Sequence, residues 1–194
     1  MEELAEILAV DFDDAEGIPK LNTSWRWEDQ EQALLSSCSS LIAIVDAEDS
    51  RVVQFSHFSV KEFLTSSRLA NPSEDVSHYY VDLEPAHTVL AETCLSILLR
   101  VDDHIGEDDL EQIFPLARYA AEYWVSHAQF KDVSTHLRKG MEDLFDSYKP
   151  HFLAWLQVPA LPANHTRPFG RMIVVSIGHA RAYCSATDAS SSSS

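Results

Sequence analysis

Cations are scarce in this chain: 14 Lys and Arg face 31 Asp and Glu, for a formal charge of −17. Nucleic-acid affinity comes largely from Lys and Arg neutralising phosphates, so such a surface repels polyanions. Anionic membrane surfaces are disfavoured for the same reason. Cysteine is sparse too. Cys38, Cys94 and Cys184 are odd in number and far apart, and no CxxC pair indicates a disulfide framework or a structural zinc site. The five glycines are scattered, and no GxxxxGKS or GxxxxGKT loop is present to cradle a phosphate. A GxSxG nucleophile elbow is missing as well. No stretch approaches the roughly 20 apolar residues of a membrane span. The opening MEELAEILAVDFDD is acidic, with too short an apolar run for a signal peptide. The expectation is a soluble, cytoplasmic protein, in which the glycosylation patterns at Asn22 and Asn164 stay unmodified.

What is present is apolar periodicity. The 194 residues are 45% hydrophobic, enough for one medium domain or two small ones. Leu4, Ile7 and Leu8 put a helix at the very start, and a helix beginning at the first methionine suggests a fragment of something longer. DFDDAEGIPKLNTSWRW reads as loop by its Asp, Gly, Pro and Asn content. In WEDQEQALLSSCSSL, Leu34, Cys38 and Leu41 recur at i, i+4, i+7, which predicts a second helix. The runs 41–45 and 51–55, separated by AEDS, predict a β-hairpin. Ser59-x-x-Glu62 then has the form of a capping box opening a third helix, whose apolar face is Val60, Phe63 and Leu64. Helix, helix, hairpin, helix is the layout of a winged-helix module over residues 1–71, with the hairpin as its wing.

Asn71-Pro72-Ser73-Glu74-Asp75 separates this module from the next. Leu90, Cys94, Ile97 and Leu98 form one helical stripe behind Pro85, widened by Leu95 and Leu99. DDHIGEDD reads as an acidic, solvated loop; Asp102, Asp103, Asp108 and Asp109 do not fit the EF-hand spacing. After Phe114-Pro115, the residues Leu116, Tyr119, Ala120, Tyr123, Trp124, His127 and Ala128 follow the helical period. An aromatic stripe at that spacing reads as core. Residues 133–147 repeat the pattern with Leu137, Met141 and Leu144, and Phe152, Trp155 and Leu156 close a short last helix. The fold class expected is mainly α: the winged-helix module, an all-helical bundle over residues 80–157, and a disordered tail over 158–194, rich in Pro and Ser.

The chemistry-bearing residues form no constellation. His104, His127 and His136 are too irregularly spaced to look like metal ligands. Ser56 and His57, as strand neighbours, point to opposite faces and cannot act as nucleophile and base. No catalytic residue, metal ligand or cofactor is assigned, and the expectation is a non-enzymatic chain. His57 stays open, either as a half-buried structural histidine at the strand-to-helix corner or as a partner-facing or phosphate-facing group.

The segments SWRWEDQEQALLSSCSSLIAIVD, QFSHFSVKEFLTSSRLA, EPAHTVLAETCLSILL and FPLARYAAEYWVSHA, in that order, resemble the post-NACHT region of fungal NACHT–ankyrin proteins. These are large signal-transduction NTPases of the STAND (NLR-like) class. The resemblance covers residues 1–157, and HFSVKEFL with PLARYAAEYW is its most specific pair. It implies a middle piece between a nucleotide-binding domain and ankyrin repeats, its partners being those modules in cis or trans, with neither nucleic acid nor membrane involved. It also implies a role for His57. Ser56-His57-Phe58 stands where the winged helix of such proteins carries a Met-His-Asp type motif, whose histidine contacts the β-phosphate of ADP; here serine and phenylalanine flank it. The function expected is a regulatory or scaffolding segment; the alternative is a winged-helix nucleic-acid-binding module.

Overall fold

A computed structural model describes residues 1–158, save 14–17, 39, 48–49, 72–75 and 103–104. The protein is mainly helical. In chain order the elements are α1 (Glu2–Ile7), β1 (Val10–Asp11), β2 (Lys20–Leu21), α2 (Gln30–Cys38), β3 (Ile42–Ala47), β4 (Ser50–Phe55) and α3 (Phe58–Leu64). They continue with α4 (Leu83–Leu98), α5 (Glu107–Ile113), α6 (Ala117–Ala128), α7 (Val133–His136), α8 (Arg138–Leu144) and α9 (Pro150–Gln157). The tail from residue 159, including Cys184, lies outside the described residues, as do Pro72 to Asp75 and His104.

The chain forms two units. Among the described residues the first is Trp27–Ala86, and the second joins Glu2–Arg26 to the chain from His87 onward. This division departs from the expected boundary, because α1 belongs with the helices that follow rather than with the hairpin. The physical reason is Arg26, which bonds both α1 and the end of α5. The Glu6 carboxylate, buried on α1, takes two hydrogen bonds from Arg26, Nε–Oε2 at 2.9 Å and Nη2–Oε1 at 2.5 Å. The same Nη2 donates to the Ile113 carbonyl at 2.6 Å, which ties both ends of the Glu2–Arg26 segment to α5. Inside that segment, β1 and β2 pair antiparallel, Val10 opposite Leu21 and Asp11 opposite Lys20. The stretch read as loop is thus partly a ladder, too short to carry an alternation signal.

In the first unit the helix–hairpin–helix order is α2, β3–β4, α3. The register pairs Ile42 with Phe55, Ile44 with Val53 and Asp46 with Arg51, so these three pairs share one face of the ribbon. Its apolar end is buried at Ile42 and Val53, and its outer end carries Arg51, which reaches Glu31 of α2 at 2.6 Å. Val81 N–H donates to the Leu64 carbonyl at 2.9 Å, closing the unit behind α3.

In the second unit α4, from His87 onward, is the central helix. Leu90, Ala91, Thr93, Cys94, Leu95, Ser96, Ile97 and Leu98 are all buried, so the helix is covered nearly all round, more than the expected stripe. Gly140 on α8 makes one approach possible: a Cβ there would lie 3.0 Å from Leu95 Cδ1. The α6 stripe is buried as expected at Leu116, Tyr119, Ala120, Trp124, His127 and Ala128, while Tyr123 stays partly exposed. Trp124, Phe145, Phe152 and Trp155 form an aromatic cluster with ring centroids 5.7–6.2 Å apart, and Trp155 Nε1–H donates to the Ala121 carbonyl at 3.1 Å. One loop expectation is corrected here as well. The second half of that run is not loop but the start of α5 (Glu107–Ile113), a helix anchored by the buried Leu110.

Candidate functional site

Strand β4 ends at Phe55, and the Ser56 N–H donates to the Leu41 carbonyl at 2.9 Å. His57 keeps an extended backbone (φ −151°, ψ 145°) and turns its ring onto the start of α3. Its Nδ1 accepts the Ser59 N–H at 3.2 Å and lies 2.8 Å from Ser59 Oγ. A nitrogen approached by an N–H is presenting its lone pair, so the ring is held as the Nε2–H tautomer. The expected capping box is therefore corrected. His57, not Ser59, is the N-cap, since the helix already begins at Phe58 and an imidazole acceptor occupies the place of a serine hydroxyl. The half-buried reading is corrected with it, because His57 is exposed, its ring set against Phe58 at 4.4 Å.

The Ser59–His57 contact lies within the reach of a nucleophile and its base. Both groups, however, are exposed and engaged in the cap. Ser56 turns elsewhere, its Oγ 3.2 Å from the Leu41 carbonyl. His57→Ala should cost about 1 kcal/mol in urea unfolding, and His57→Asn, which restores a cap acceptor, only a few tenths.

A second histidine pair was not visible in the sequence. His127 on α6 is buried, 3% exposed, and both its nitrogens are bonded. Nε2 lies 2.7 Å from Tyr119 Oη, two turns earlier on the same helix, and Nδ1 lies 2.9 Å from His87 Nδ1 on α4. His87 stacks on Phe130 at 4.1 Å with the rings 12° apart. The Tyr119–His127 half follows from the α6 stripe; the His87 half joins residues 40 apart, and no local pattern announces it.

Burial, and then the neighbouring His87, bring His127 down to about 4. Burial lowers His87 as well. Burial raises the Tyr119 hydroxyl, with Cys94, Tyr123 and Glu3 adding to the rise. The unfolded chain takes a proton on this histidine near pH 6.5, whereas the fold resists it until about pH 4. The resulting stability is complete above pH 6.5 and is lost as the pH falls towards 4, by about 3 kcal/mol at most. Urea midpoints measured at pH 7 and pH 4.5 should show this loss, and His127→Phe should flatten it.

Among the described residues, no group of three or more His, Cys, Asp or Glu side chains is placed to hold a metal ion. Cys38 and Cys94 are buried free thiols, and burial pushes both upward, which keeps them protonated and inert. No described helix is long and apolar enough to cross a membrane.

No family model matches the chain, and no solved structure matches it. Among curated proteins it is similar to the azaphilone pigments biosynthesis cluster protein L of Monascus ruber. The two are 29% identical over 171 residues, which takes in 84% of this chain and 35% of the relative. The chain thus spans about a third of the length of the curated relative it matches.

Proposed function

We propose that this chain is a non-catalytic regulatory and scaffolding segment that works by packing against other parts of a longer polypeptide. The observation that carries the reading is the large apolar side chains left at the surface of each unit. On α3 of the first unit Phe58 is 73% exposed, and Phe63 is exposed as well. In the second unit Tyr148 is 97% exposed, and Leu153 and Leu156 of α9 are 54% and 53% exposed. Leu153 and Leu156 stand three residues apart and share one helix face, while Ala154 is buried on another. A helix apolar on two faces suits a layer between packed neighbours better than a free surface. The share of the Monascus relative that the chain matches agrees with a segment of a larger protein.

In the NACHT–ankyrin architecture that the sequence resembles, such a segment would relay nucleotide state to the repeats by shifting between docked positions. There His57 would offer its Nε2–H to a phosphate while Nδ1 holds the helix cap. Nucleic acid is a poor partner: the wing's arginine, Arg51, is engaged by Glu31 and Asp46, and α2 carries no Lys or Arg. The test is reconstitution. The remaining two thirds of the Monascus relative, expressed separately and mixed with this chain, should co-elute with it on size exclusion. Separate elution at micromolar concentrations of both would overturn the reading.

A further inference from the structure

We infer that Tyr119, His127 and His87 form an acid-opened clasp that fastens α4 to the end of α6 inside the second unit. The geometry alone sets the rule. Two imidazole Nδ1 atoms 2.9 Å apart can share one hydrogen, donated by one ring and accepted by the other. With both rings neutral, every bond closes: Tyr119 O–H donates to His127 Nε2, and His127 Nδ1–H donates to His87 Nδ1. One added proton is tolerated. Placed on His127, it leaves Nδ1–H donating to His87 and turns Nε2–H towards the Tyr119 oxygen. Placed on His87, it reverses the shared bond and leaves the charge stacked on the Phe130 ring. A second added proton is not tolerated, because two Nδ1–H groups would then face each other at hydrogen-bond distance with like charges. The contact must part.

Among the described groups, Glu3 of α1, Cys94 of α4 and Tyr123 of α6 act on Tyr119, and His87 acts on His127. Burial further penalises charge on both rings. At neutral pH the clasp is shut, and acid opens it with a two-proton dependence, since the freed histidines titrate near 6.5. The three residues it joins all lie in the second unit, so opening loosens α6 and the α4 turns from His87 onward locally without requiring the whole chain to unfold.

Two measurements test this on the intact chain. Histidine side-chain 15N spectra at pH 7 should show His127 as the Nδ1–H tautomer and His87 as the Nε2–H tautomer. Two Nε2–H rings would overturn the clasp, since no hydrogen would then lie between the Nδ1 atoms. Amide exchange of residues 87–91 and 124–129, corrected for intrinsic chemistry, supplies the second. Between pH 6 and pH 4.5, where the shut clasp still holds neither added proton, its opening equilibrium should rise with a slope approaching about 100-fold per pH unit. In His87→Asn, whose amide oxygen still accepts from His127 but does not titrate, the slope should fall to about tenfold per unit. Equal slopes in the two proteins would overturn the clasp, because acid loosening would then come from other groups.

Discussion

Arg26→Met should destabilise the protein by about 3 kcal/mol in urea unfolding. The mutation leaves the Glu6 carboxylate, 4% exposed on α1, without the guanidinium that takes both its oxygens. Removing one partner of a buried pair costs about 3–5 kcal/mol. Arg26 keeps about a third of its side chain in water, which places the cost at the lower end of that range. The same pair set against apolar replacements should behave differently. Glu6→Leu with Arg26→Met removes both charges and lets α1 bury another aliphatic side chain beside Leu4 and Ile7, so the double variant should recover most of the loss. If the single and double variants proved equally unstable, the loss would come from the Arg26–Ile113 bond that both lack and not from a stranded Glu6 charge.

Trp124→Ala should cost about 3–5 kcal/mol, as truncation of a buried aromatic leaves a cavity that its neighbours fill only in part. Trp124 is 2% exposed and stands edge-on to Trp155 at 5.7 Å, with Phe145 at 6.0 Å. Trp124→Phe should cost much less, about 1 kcal/mol. The indole N–H is buried with no hydrogen-bond partner, so the phenyl ring loses area but no bond. Trp155→Phe reverses the comparison, because Trp155 Nε1–H does donate to the Ala121 carbonyl. Thermal midpoints of the three variants under one buffer check the ranking.

The long helices were legible because their apolar faces repeat. The α6 stripe and the Leu90–Leu98 stripe are buried where the period placed them. The β3–β4 hairpin was legible from two β-branched runs around an acidic turn. What escaped was short or non-local. The two-residue ladder of Val10–Asp11 with Lys20–Leu21 is too brief to alternate, and α5 hid within a charge run because its first turn is the acidic part. Ser59-x-x-Glu62 matched a capping pattern, yet His57 caps the helix, since one imidazole lone pair satisfies the same amide that a hydroxyl would. His87 escaped for another reason. Its partner lies 40 residues away, and only the packing of α4 on α6 brings the two rings together. The placement of α1 escaped likewise, because Arg26 selects it through a side-chain bond that no periodicity encodes.

The most direct test of a packing role is the affinity of this chain for the other two thirds of its Monascus relative, measured by isothermal titration for wild type and for Leu153→Asp with Leu156→Asp. Both leucines are solvent-facing on α9, so the double variant should keep its far-UV spectrum and thermal midpoint. The wild type should bind, and the variant should bind at least about 30-fold more weakly. Equal affinities in a folded variant would contradict a packing role.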